Sequence, residues 1–163
     1  MMKMVKLLMV SVAALWTVAA TAAGMGVMVE NPWVREAPPT AAALGGFMVL
    51  KNHTDKPLVL VGASSPAAEE VMLHRSIMEG GMMKMVHQEM IEIPAKGQLE
   101  FKPGDYHLML MKPKKVFKAG DKIEITLKFK DGSTLPATFE VRTGMGGMDM
   151  NHGSDMGGMK HGM

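Results

Sequence analysis

Apolar and polar residues alternate with a period of two through most of the chain between residues 27 and 142. The clearest run is Ile123 to Lys130, where Ile123, Ile125, Leu127 and Phe129 alternate with Glu124, Thr126, Lys128 and Lys130. That pattern predicts a strand with one buried and one wet face. Asp131-Gly132 then predicts a hairpin turn, with Thr134 to Val141 as the partner strand. Further strands are expected at Val27 to Arg35, Gly46 to Asn52, Leu58 to Gly62, Val71 to Ser76, Met83 to Gln88, Gln98 to Phe101 and Tyr106 to Met111. The breaks between them fall at Asp55-Lys56-Pro57, Gly80-Gly81, Pro94 to Gly97 and Pro103-Gly104-Asp105. Only Ala67 to Glu70 hints at a helical turn. Eight or nine short strands in about 115 residues predict an all-β fold of two packed sheets, a Greek-key sandwich.

The two ends differ from this middle. Lys3 and Lys6 precede an almost wholly apolar stretch, Leu7 to Val18, and Ala20-Thr21-Ala22 offers a small-residue cleavage site. Residues 1–23 are therefore expected to be a secretory signal peptide, the apolar run being too short for the roughly 20 residues that cross a bilayer. The mature protein is expected to be exported, in the periplasm or bacterial cell envelope, with no membrane span. Residues 24–142 form the predicted domain. From Thr143 to Met163 the chain is rich in methionine, glycine and histidine and has no other large aliphatic residue. Such a segment cannot build a core and is expected to be a flexible tail.

Charge and cysteine content narrow the function. The chain has 18 Lys plus Arg against 16 Asp plus Glu, and the excess of two is the leader's Lys3 and Lys6. A formally neutral mature chain argues against nucleic acid as a partner. The absence of cysteine excludes a disulfide framework, a Cys-x-x-Cys redox pair and a blue-copper centre, whose strongest ligand is a thiolate. There is also no Cys near residue 20 to carry a lipid. By contrast the chain has 21 methionines and 6 histidines. Thioether sulfur beside imidazole nitrogen is a soft, neutral donor set suited to monovalent copper.

The strand pattern places some of these donors together. In Tyr106-His107-Leu108-Met109-Leu110-Met111, His107 and Met109 share one face, outward or toward a sheet edge, while Leu108 and Leu110 take the core face. His74 lies in Val71 to Ser76 and Met85 in Met83-Lys84-Met85-Val86-His87, with the turn Met78 to Met82 between them. His74, Met85, His107 and Met109 could close a tetrahedron of two nitrogens and two sulfurs around Cu(I). Zinc would call for thiolate or carboxylate with imidazole, and calcium or magnesium for oxygen. Met48, Met72, Met90 and Met111 read as packing residues, Met82 and Met83 as either, and His53 as a solvated loop residue.

The order and spacing of these four add more. His74, ten residues, Met85, twenty-one residues, His107, one residue and Met109 resembles the signature of the PCuAC-type periplasmic copper chaperones. The flanks are similar too, in Leu73-His74, Met78-Glu79-Gly80-Gly81, Met83-Lys84-Met85, Ile93-Pro94-Ala95 and Pro103 to Met111, and again in Phe117-Lys118-Ala119-Gly120-Asp121. The resemblance spans about residues 27 to 141. It implies a cupredoxin-like β-sandwich binding one Cu(I) through His74, Met85, His107 and Met109. It also implies a part in supplying the copper A centre of cytochrome c oxidase, directly or through another assembly chaperone.

Met145, Met148, Met150, His152, Met156, Met159, His161 and Met163 in the tail are candidates for a second, looser copper site. Asp149, Asn151 and Asp155 lie nearby, so that site could take Cu(I) or Cu(II). Lys112, Lys114, Lys115 and Lys118 form a basic cluster, either a solvated turn or a docking patch for an acidic partner. The leading expectation is a monomeric, non-enzymatic metallochaperone that passes copper to a receiving protein by ligand exchange. Copper buffering, a copper redox enzyme and a plain β-sandwich interaction module are the alternatives.

Overall fold

The computed structural model of the chain describes residues 26–144. The leader, residues 1–23, and the eight tail candidates from Met145 to Met163 lie outside the described residues. Ten strands follow in order: β1 (Val27–Arg35), β2 (Ala43–Asn52), β3 (Leu58–Ser64), β4 (Ala68–Glu79), β5 (Met82–His87), β6 (Ile91–Ile93), β7 (Gln98–Phe101), β8 (Tyr106–Pro113), β9 (Lys122–Phe129) and β10 (Thr134–Arg142).

The fold is all-β, as the alternation predicts, but it is not a sandwich of two separate sheets. Seven strands run β4-β8-β2-β1-β10-β9-β3, and the pair Ala63↔Val71 joins β3 back to β4, closing a barrel. All neighbours are antiparallel except β1 and β10, which run parallel with Trp33 opposite Glu140. Closure removes the exposed edges that an open sheet would leave. The period-two pattern could not distinguish the two architectures, because both need one apolar face per strand.

The interior is filled from every strand of the barrel. Ile123, Ile125, Leu127 and Phe129 of β9 face Phe139, Val141 and Leu135 of β10, with Leu73 of β4 and Leu108 and Leu110 of β8 in the same core. The β9–β10 hairpin forms where expected, with Thr134 opposite Lys128, and Gly132 adopts a positive φ of 85° in its turn. Asn52 is the main buried polar group. Its amide donates to the carbonyls of Lys56 at 2.8 Å and Pro94 at 3.1 Å, while its oxygen accepts from the Thr54 amide at 2.9 Å.

Two elements differ from expectation. Ala67 to Glu70 forms no helical turn: Ala68 already begins β4, whose alternate residues Val71 and Leu73 are buried in the barrel core. The short strand β6 went unpredicted, since three residues, Ile91-Glu92-Ile93, are too few to show a period.

β4 is long for a reason that bears on function. Its first half closes the barrel against β3, and its second half, from His74 to Glu79, pairs instead with β5. β5 is an added edge strand whose only ladder partner among the described residues is β4, and all six of its residues are exposed.

Candidate metal site

The outer face of β8, β4 and β5 carries three of the chain's six histidines, with several methionines, in rows. Leu73 on β4 and Leu108 and Leu110 on β8 point into the core, so alternate residues point out. His107 is directly opposite His74, and His74 is directly opposite His87, giving one row of three imidazoles across three strands. The His74 and His107 rings are 5.8 Å apart edge to face, and the His74 and His87 rings 5.7 Å. On one side of this row Met72 faces Met109; on the other, Ser76 faces Met85 and Met78 faces Met83.

Both central histidines present unused nitrogen. His107 is only 5% exposed, more buried than an outward strand position suggests. Its Nδ1 is 2.9 Å from the Asp105 carbonyl oxygen, an acceptor, so Nδ1 carries the proton and donates. That tautomer leaves a lone pair on Nε2, which is buried without a hydrogen-bond partner. Nδ1 of His74 is likewise buried and unpartnered. Buried polar atoms are normally satisfied, and an exception calls for a cause. Burial holds the His74 imidazole below its ordinary value of 6.5, with the neighbouring His107 and His87 pushing the same way. A depressed value keeps His74 neutral, the form that can ligate.

The support behind His107 is specific. The Asp105 carbonyl also accepts the Ser76 amide at 3.1 Å, and the Asp105 carboxylate accepts Arg75 Nε at 3.0 Å. Arg75 in turn lies over the Tyr106 ring, 4.6 Å from its centre. Orientation of a ligating imidazole through its second nitrogen is a common feature of metal sites. On β2, Gly45 stands opposite Met109, and a side chain there would meet the Phe47 ring at 3.2 Å. Phe47 stacks on Trp33 with ring centres 4.6 Å apart, forming an apolar wall on the same outer face.

The structure brings His74, His107 and Met109 into one neighbourhood, with Met109 half-buried. Met85 stands apart from Met109: it is 61% exposed and pairs with Ser76, two residues beyond His74 along β4. Two strand spacings and four residues of rise put its Cα about 16 Å from that of Met109 in an untwisted sheet. Gathering all four donors around one ion requires the β4–β5 hairpin to curl over the face. Among the described residues no group of three or more His, Cys, Asp or Glu converges into a metal cage.

Some residues were misread from sequence. His87 was not singled out, although its place two residues after Met85 in a strand sets it on the same face. Met72, read as packing, is half-buried on the outer face opposite Met109. Met90 is no packing residue either, being 55% exposed, whereas Met48 is a core residue at 2%. His53 is exposed, as expected. Of the lysine cluster, Lys112 pairs with Glu69 at 2.9 Å and Lys115 lies 4.9 Å from the Phe117 ring centre.

The chain is 36% identical over 118 residues to "Putative lipoprotein Lxx21020" of Leifsonia xyli subsp. xyli, covering 72% of this chain and 70% of that protein. Among solved structures it is similar to the Cu(I) form of DR1885 from Deinococcus radiodurans, with 37% identity, coverage of 76% of this chain and 83% of that one, and a TM-score of 0.56. The copper-bound PCuAC domain of PmoF2 is 22% identical over 73% of this chain and 94% of that one, with a TM-score of 0.62, a likeness of fold alone. Residues 27–141, from the first residue of β1 almost to the last of β10, match the family described as "Putative lipoprotein LpqE-like", and the chain belongs to that family.

Proposed function

We propose that this domain binds one Cu(I) through His74, His107, Met109 and Met85 and hands it on by ligand exchange. The observation that carries the reading is the pair of buried imidazole nitrogens, His107 Nε2 and His74 Nδ1, on directly opposite residues of β8 and β4 and without a hydrogen-bond partner among the described residues. A neutral set of two nitrogens and two sulfurs matches a soft monovalent ion. The 37%-identical DR1885 has been solved in a Cu(I) form, which supports the same cargo here.

The geometry suits transfer better than storage. His107 is held rigidly, whereas Met85 sits on an exposed edge strand able to swing away. Release would begin with this weakly held thioether, opening a position for an incoming ligand while His107 still grips the ion. No bond to carbon or oxygen is made or broken, so the role is binding and transfer rather than catalysis. The family description supports a place in the cell envelope. A copper-receiving protein there, such as the copper A subunit of cytochrome c oxidase or another assembly chaperone, is the partner this reading calls for. The 163 residues contain no cysteine, so no thiol is present for acylation.

Competition with a Cu(I) chelator tests the assignment. Replacing His107 or Met109 should weaken binding at the domain, and unchanged affinity would remove the site. Deleting the gene should lower oxidase activity at limiting copper; failure only at high copper would favour buffering instead.

A further inference from the structure

Beside Met85, the β4–β5 hairpin carries three methionines that the four-ligand site leaves unused. Met78, Met82, Met83 and Met85 are 66%, 66%, 58% and 61% exposed. Single exposed apolar residues are ordinary, but a contiguous group marks an interaction site. Met82 pairs with Glu79 and so points to the opposite face. Met78, Met83 and Met85 share the face that carries His74 and His87.

The backbone brings these three thioethers together. The Gln88 amide donates to the Leu73 carbonyl at 2.8 Å, so Leu73 and Gln88 are a hydrogen-bonded pair. Counting along the ladder from there, Met78 and Met83 fall on a non-hydrogen-bonded pair, where side chains approach most closely, with Cβ atoms about 4.5 to 5.5 Å apart. Met85 follows Met83 on the same face at about 7 Å. The hairpin is well defined: Gly80 and Gly81 have φ of 61° and 78°, as a two-residue type I′ turn requires, and Glu79 pairs with Lys84 at 2.7 Å. Three rotatable bonds in each side chain let the sulfurs converge.

We propose that Met78, Met83 and Met85 form a second, outer site for a soft monovalent ion, at which Cu(I) lands before it reaches the histidines. This rests on the Cu(I) reading of the inner site, with Met85 as the ligand the two sites share. In the extended hairpin Met85 belongs to the outer set; when the hairpin curls, it carries the ion to His74 and His107. The ion enters and leaves as Cu(I), and only thioether and imidazole bonds exchange. Three exposed neutral sulfurs bind less tightly and exchange faster than a buried set containing imidazole.

The test uses the full-length chain labelled with 13C at the methionine methyls, and Ag(I) as a redox-inert monovalent probe. In a His74→Ala/His107→Ala variant, the methyls of Met78, Met83 and Met85 should shift together on adding Ag(I). Shifts confined to other methionines would overturn the proposal. A second arm leaves the histidines intact and uses Met78→Leu/Met83→Leu, exposed changes that preserve the fold. Loading from a Cu(I)–chelator complex should slow about fivefold or more while equilibrium affinity stays within about twofold. An unchanged loading rate, or an equal loss of affinity and rate, would also overturn it. Failure of the inner site shows separately, as undiminished Cu(I) affinity when His107 is replaced.

Discussion

Replacing His107 with leucine should leave the metal-free domain as stable as before, or more so, while removing its copper binding. His107 is 5% exposed and its Nε2 has no partner, so the wild-type fold carries an unsatisfied buried nitrogen. Relieving such a group is worth about 1 to 3 kcal/mol, set against about 0.5 to 1.5 kcal/mol for the lost hydrogen bond to the Asp105 carbonyl. That carbonyl keeps the Ser76 amide, so it is not stranded. The net expectation is roughly 0 to 2 kcal/mol of added stability, or up to about 8 °C in Tm for a domain of this size. Removing a metal ligand should cost more than the 10- to 100-fold typical of groups behind the ligands, so Cu(I) affinity should fall by about 100-fold or more. Thermal or urea unfolding of the metal-free protein and chelator competition measure the two quantities. Destabilisation beyond about 2 kcal/mol would show that Nε2 serves the fold, and an affinity within about tenfold of wild type would show that it does not hold the ion.

Other consequences are equally direct. Because the folded-state value of His74 lies below its unfolded value near 6.5, the unfolded chain takes up the proton first. The stability this contributes is complete above the unfolded value and declines as pH falls through it toward the folded one. Urea unfolding of the metal-free protein should therefore weaken from pH 7 to lower pH, and His74→Gln should flatten that slope; His107 on β8 and His87 on β5 are the titratable groups facing it. Asn52→Ala should cost about 2 to 4 kcal/mol by urea unfolding, since it removes the amide's bonds to the Lys56 and Pro94 carbonyls and unties the turn at Thr54. Gly81→Ala, at a φ of 78° with open space around it, should cost about 1 kcal/mol of backbone strain. Hydrogen exchange should then quicken at β5 amides and leave β9 and β10 unchanged.

The parts of the fold visible in sequence are those where one face is buried and the other wet. β9 and β10 were legible to within a residue at their ends because Ile123, Ile125, Leu127 and Phe129 have no reason to alternate except a core. Closure into a barrel was not legible, since it hangs on the single pair Ala63↔Val71, which no periodicity records. The site divides in the same way. His107 and Met109 could be placed on one face from their spacing alone, but the burial of His107 comes from its surroundings and leaves no local trace. His87 and Met72 were overlooked because register, which sets them opposite His74 and Met109, is a property of strand pairs rather than of either strand. Met85 was named from spacing, and the structure leaves it exposed on an edge strand, two strands away from Met109, because spacing along the chain does not record which strand lies at an edge.

The central claim is that Cu(I) binds on the outer face of β8, β4 and β5. The most direct measurement is residue-resolved NMR of the full-length protein, labelled at methionine methyls and histidine rings, on addition of one equivalent of Cu(I) under reducing conditions. The account predicts that His74, His107, Met109 and Met85 shift together and saturate at that equivalent. Saturation elsewhere in the chain with these four unmoved would contradict it.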